Sequence, residues 1–238
     1  GEPPEPGRTR PPGATRPARR SGLNDVSTTI EPGGAADAVR RLGDERRGTV
    51  RLVFRPVETI AHVSDPIWQD VSCLAVAGRS LFCTCDETAS VERLTLDLAN
   101  GTADDHASFA LGTFFDLPAG PTGEMDIEGI AVADGDLWVA GSHGLKRGKP
   151  RRGRLEPMEE IAWDPNRAFL GRVPLVAGQD GLFFPVAEAP ATGALPARTA
   201  RMLPMRRKNP KTVLRKMLAK DPLIGPFVGL PCKENGFD

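Results

Sequence analysis

The chain has 238 residues, 39% of them hydrophobic, with 26 Gly, 23 Pro and no Tyr. This balance fits a loop-rich β protein with a disordered segment better than a compact helical one, and the length allows one large or two small domains. No run of 18 apolar residues occurs, so no transmembrane helix is expected. The net charge of +0 conceals an asymmetry: residues 51–145 carry 4 Lys/Arg against 15 Asp/Glu, and residues 146–238 carry 18 against 9. An acidic middle suits a cation and a basic end suits an anion, but attraction between the two halves of one fold explains the pattern equally well.

Residues 1–22 are Pro, Gly and Arg with almost nothing apolar. Such a segment buries too little surface to offset its ordering entropy, so disorder is expected. No aromatic is interleaved with its arginines to stack on bases, so nucleic acid is not an expected partner. A short helix is expected over 35–42, and residues 1–48 together read as a tail or linker. The first residue is Gly rather than Met, so the amino terminus reads as incomplete, and both cytoplasmic and exported locations stay open.

The folded part is expected over 49–238. Residues 49–57 read as a first strand. A segment then occurs twice. Asp70-Val71-Ser72-Cys73-Leu74-Ala75-Val76-Ala77 is followed by a turn and Leu81-Phe82-Cys83-Thr84-Cys85. Asp126-Ile127-Glu128-Gly129-Ile130-Ala131-Val132-Ala133 is followed by a turn and Leu137-Trp138-Val139-Ala140-Gly141, 56 residues further on without a gap. Asp134-Gly135 between apolar runs is a strong hairpin signal. Residues 90–98 and 107–115 read as two more strands. Four strands per unit of about 56 residues matches one propeller blade.

Further along, 142–154 is a basic, glycine-bearing loop, and 169–176 and 181–186 read as strands of a third unit. Residues 188–208 read as loop. Asn209-Pro210 then opens a helix near 210–220, with Val213, Leu214, Met217 and Leu218 as its apolar stripe. The fold expected is all-β: a β-propeller with one inserted helix. Three and a half units cannot close a ring, so the chain reads as part of a longer protein. The cysteines Cys73, Cys83, Cys85 and Cys232 form no C-x-x-C pair and read as small core residues.

Pairing the second hairpin about its two-residue turn sets Glu128 opposite Gly141 and Asp126 opposite His143. Strict alternation then puts Asp126, Glu128 and His143 together on one face, beyond the apolar body formed by Ile130, Val132, Leu137 and Val139. The first copy has Asp70, Ser72 and Glu87 at the matching positions. If such ends converge on a central channel, their carboxylates resist joint ionisation unless a cation neutralises them. Oxygen ligands suit Ca²⁺ or Mg²⁺, and adding His143 admits Zn²⁺ or Mn²⁺. The plainer alternatives are an Asp capping a turn, a solvated Glu before a buried run and a loop histidine. The segment 144–150 is not a phosphate loop, because His143 stands where that motif needs Gly and Pro150 where it needs Ser or Thr.

The D-x-E-G-I-A hairpin over 126–131, Leu137-Trp138-Val139, Ser142-His143-Gly144 and Gly148-Lys149-Pro150-Arg151 resemble an uncharacterised bacterial propeller-like family, domain of unknown function 3616. Residues 70–94 resemble its preceding repeat, and 233–238 the lead-in to its next. The hairpin is also similar to esterase-like and phytase-like propellers, which implies a six- or seven-bladed, calcium-binding fold. Only Asp126 and Glu128 match that shared motif, since Ser72 replaces the Glu in the first copy.

Two functions are expected from these readings. The first is a metal-assisted hydrolase of an ester or phosphoester, its cation, Ca²⁺ first, held by Glu128, Asp126 and Glu87, with His143 catalytic. Lys146, Arg147, Lys149 and Arg151 would hold the anionic group of a small molecule. The second is a non-catalytic binding propeller presenting the same loops to a partner, since one fold hosts both.

Overall fold

A computed structural model describes residues 48–60, 63, 66–148, 159–193 and 195–231. The tail over 1–47 with its expected helix, the basic residues Lys149, Arg151, Arg152 and Arg154, and Cys232 with the closing segment lie outside the described residues.

The described chain is mostly β. The first sheet holds β1 (Arg51–Leu52), β2 (Val71–Ala77), β3 (Ser80–Cys85), β4 (Ser90–Asp97) and β5 (Thr102–Ala110), in the order β1-β5-β4-β3-β2. β2 to β5 form an antiparallel meander, and β1 adds to β5 in parallel. The second sheet holds β6 (Ile127–Ala133), β7 (Asp136–Gly141), β10 (Leu170–Ala177) and β11 (Phe183–Pro185), ordered β11-β10-β7-β6. Two separate two-stranded ladders accompany the sheets: β8 (Lys146–Arg147) with β9 (Ile161–Ala162), and β12 (Glu188–Ala189) with β13 (Arg198–Thr199). β14 (Arg201–Met202) joins β10.

The two sheets face each other across the main core. Phe82 and Val91 of the first meet Ile127, Leu137, Val139 and Val173 of the second. The connection between β5 and β6 supplies Leu111, Phe115 and Leu117, with Phe115 edge-on to Phe169 at 5.1 Å. A second cluster, Leu81, Cys83, Leu94 and Ala103, lies on the first sheet under Val50, Leu52 and Phe54. Cys83 and Cys85 are buried and Cys73 half-buried, all as free thiols, and burial pushes all three thiols up.

Residues 188–208, expected as loop, instead contain β12, β13 and β14, because their short runs pair with each other and with β10. Two earlier strands also fall at bounds different from those expected. β5 begins at Thr102, not 107, because Asp97 closes a tight turn. Its carboxylate accepts from the amides of Ala99 and Asn100 at 3.1 Å and from the Asn100 side chain at 2.7 Å. Gly101, at φ +65°, completes the reversal. Asp105 (φ 52°) then sits in a β-bulge opposite Leu94, and His106 is turned into the interior. There its Nε2 meets the buried carboxylate of Glu92 at 2.7 Å, while its Nδ1 accepts from the Arg55 amide at 3.2 Å. Residues 49–57 contribute only β1 before a 3-10 turn over Val57–Thr59.

The helix α1 spans Val213–Leu218 and is capped by Thr212, whose hydroxyl accepts from the Arg215 amide at 3.3 Å. Asn209 instead forms its own local turn through the Lys211 amide. The expected apolar stripe is also rotated: Val213 and Met217 are exposed, and the buried residue of α1 is Arg215.

Candidate functional site

The open end of the β6–β7 hairpin is shaped by a bulge. Ile127 pairs with Gly141 and Gly129 with Ala140, so Glu128 has no residue opposite it. The β2–β3 hairpin bulges identically: Val71 pairs with Cys85 and Cys73 with Thr84, leaving Ser72 out. An extra residue shifts the alternation by one. Met125 and Ile127 are therefore fully buried before the bulge, Ile130 and Val132 pack on the core after it, and Glu128 points to solvent. The single face expected for Asp126, Glu128 and Ile130 does not form. Asp126 lies opposite Ser142 rather than His143, its carbonyl accepting from the Ser142 amide at 2.7 Å.

In the first hairpin the same one-residue shift brings Asp86 inward in place of Glu87. The Asp86 carbonyl accepts from the Asp126 amide at 2.9 Å, while Glu87 is exposed. Ser72 closes the gap between the sheets, its Oγ donating to the Ile127 carbonyl at 2.7 Å.

Asp126 (φ 53°) and His143 (φ 56°) both adopt the left-handed backbone region. Asp and His tolerate it better than most side chains, and such residues collect where surrounding structure dictates the backbone. Here a 3-10 turn over Pro165–Ala168 does so. The Arg167 carbonyl accepts from the His143 amide at 2.9 Å. The approach is close: a Cβ on Gly141 would lie 2.5 Å from the Arg167 carbonyl oxygen and 2.9 Å from that of Met125.

The Arg167 side chain is the hub of the charges. Its Nη1 meets Asp126 Oδ2 at 2.8 Å and its Nη2 meets Glu124 Oε1 at 2.7 Å. Lys146 Nζ binds the other oxygen of Glu124. Two carboxylates are thus matched by two cations. Burial pushes the Glu124 carboxyl up, but the hydrogen bonds and charges of Arg167 and Lys146 outweigh it and hold the group below the ordinary glutamate range.

The flanking residues of that turn lock the site to its surroundings. Asp164 caps it by accepting from the Asn166 amide at 3.3 Å. The fully buried Asn166 accepts from the Ala119 amide at 3.0 Å and donates to the carbonyls of Gly120 and Gly123 at 3.1 and 3.0 Å. Trp163 donates to the Arg206 carbonyl at 2.8 Å, and the Arg215 guanidinium lies 5.6 Å from its ring centroid.

His143 is 4% exposed, and neither ring nitrogen completes a hydrogen bond among the described residues. Burial first, and then the nearby Arg215 charge, lower its pKa to about 4, with the Phe169 carbonyl pulling more weakly the other way. Arg215 covers this loop, donating to the carbonyls of His143 and Val228.

The expected site residues are therefore dispersed. Asp126 and Lys146 join one ion network, His143 is buried beside it, and Glu128 and Glu87 are exposed on separate elements. Arg147 pairs along β8 with Ile161. Among the described residues no group of three His, Cys, Asp or Glu side chains could hold a metal ion. Glu128, Asp126 and Glu87 form no such group.

A family model matches residues 70–238, most of the chain. The chain belongs to the family described as Protein of unknown function (DUF3616). The match takes in both hairpins, the basic loop and the turn carrying Arg167, so the candidate site lies wholly within the family's region. No curated protein and no solved structure matches the chain. Among the described residues no helix is long and apolar enough to cross a membrane.

Proposed function

We propose that the two sheets are neighbouring blades of a β-propeller, and that the chain belongs to a binding module rather than to a metal-assisted hydrolase. Three features support the propeller. β2 and β6 each end their sheet on the side where the sheets meet, their hairpins share one register residue for residue, and both bulge at the same step.

The observation that carries the binding reading is the pairing of Arg167 with Asp126 and Glu124. Carboxylates already neutralised by a guanidinium and an ammonium have no need of a cation. His143 supports the same reading. A base with a pKa of about 4 is too weak to draw a proton from water efficiently near neutral pH.

The test is hydrolysis of p-nitrophenyl acetate and p-nitrophenyl phosphate by the purified protein in millimolar Ca²⁺. The expected rate equals that of buffer alone. A rate above buffer that is abolished by Glu128→Gln or His143→Asn would overturn the binding reading.

A further inference from the structure

Beside the Pro165–Ala168 turn, with Pro165 in its wall, lies an open cleft of about 1060 Å³. Its size is that of a site for a small organic molecule rather than for a bare ion. The lining is polar and apolar in near-equal parts, as suits an amphipathic ligand: Phe114, Phe115, Pro118 and Pro165 supply apolar side chains, and Asp116 and Arg207 are its two charged side chains.

The wall is rigidly built. The three hydrogen bonds of Asn166 fix the backbone at Ala119, Gly120 and Gly123, and a Cβ on Gly112 would lie 2.5 Å from the Pro121 Cβ. A cleft whose wall is fixed before binding loses little entropy when it is filled.

Arg207 is exposed and makes no ion pair among the described residues, and the same holds for Asp116. Arg207 sits in an exposed basic run with Arg206 and Lys208, and the Trp163 indole anchors that run through the Arg206 carbonyl. A guanidinium offers a planar fork that matches a carboxylate with two parallel hydrogen bonds. Asp116 in the same cleft repels anionic ligands, and it repels a dianion more strongly than a monoanion.

We propose that this cleft binds a monoanionic organic carboxylate, its apolar body against Phe114, Phe115, Pro118 and Pro165 and its carboxylate on Arg207. The proposal goes beyond the binding reading, since it concerns a surface separate from the hairpin end.

Phenylacetate is the probe, titrated into the whole protein and followed by calorimetry, with inorganic phosphate titrated in parallel. Saturable phenylacetate binding is expected, weakened about tenfold or more by Arg207→Gln, the effect of losing a charge-assisted hydrogen-bond pair. Arg207→Lys should recover only part of that loss, since it restores charge without the fork. Phosphate should show no saturation.

Absence of phenylacetate saturation up to about 20 mM would overturn the proposal, since weaker binding is below the affinity of a specific site. Equal affinity in wild type and Arg207→Gln would overturn it too. Arg207 is exposed, so an unchanged melting temperature separates lost binding from lost fold. Ester hydrolysis with intact phenylacetate binding would sink the hydrolase-free reading alone, whereas absent binding with no hydrolysis would sink the cleft alone.

Discussion

Replacing Arg167 with Met should destabilise the protein by about 3–5 kcal/mol, the cost of removing one partner from a buried charge pair. Arg167 is buried and the Asp126 side chain is 12% exposed, so water cannot replace the guanidinium. Methionine fills much of the same volume, so the loss reports charge rather than a cavity. Chemical denaturation at pH 7 measures it.

The second carboxylate sharpens this expectation. Glu124 keeps Lys146 when Arg167 is lost, but Asp126 keeps no cation among the described residues. Asp126→Asn in the Arg167→Met background should therefore restore part of the stability, and the double-mutant cycle should show coupling of about 2 kcal/mol or more. Additive single effects would mean that Asp126 and Arg167 do not depend on one another.

The second large effect is a pH dependence centred on His143. The folded protein keeps this imidazole neutral down to about pH 4, whereas in the unfolded chain it protonates near its ordinary 6.5. Between those values the unfolded state binds the extra proton, so acid favours unfolding. The contribution is fully present above pH 6.5, declines as pH falls through the window and is gone near pH 4. At about 1.4 kcal/mol per pKa unit, the total is on the order of 3 kcal/mol.

His143→Asn removes the titrating group and keeps a residue that tolerates positive φ. Wild type should lose about 3 kcal/mol more than this variant between pH 7 and pH 4. Parallel stability profiles across that range would refute the assignment. The contribution of Glu124 declines at lower pH, through the acid side of its ordinary 4.5, and both proteins share it.

Much of the fold was legible because it rests on local periodicity. The alternation through Ile130, Val132, Leu137 and Val139 and the Asp134-Gly135 turn fixed the second hairpin, and the first followed from its matching residues. The bulges were not legible. Nothing in the composition of Val71-Ser72-Cys73 or Ile127-Glu128-Gly129 distinguishes a residue paired in a ladder from one left out of it. That single shift separated Glu128 from Asp126 and replaced Glu87 with Asp86.

The hub was hidden for a different reason. Arg167 acts on carboxylates more than 40 residues upstream, a distance at which spacing carries no information. The local sign was Asp164-Pro165-Asn166, a turn-forming sequence that marks the segment as a structured loop. In α1, Leu214 and Leu218 are half-buried as an apolar stripe requires, but a buried arginine took the central position because two carbonyls and the Trp163 ring awaited it. Hydrophobic patterning cannot anticipate such a residue.

The most direct measurement is the melting temperature of the wild-type protein in excess Ca²⁺ and in excess chelator. If Arg167 and Lys146 neutralise the carboxylates of the β6–β7 end, the two values coincide within about 1 °C, because nothing binds the native state preferentially. A Ca²⁺-dependent rise of several degrees, retained in Arg207→Gln and lost in Asp126→Asn, would contradict that arrangement and restore the cation to the centre of the site.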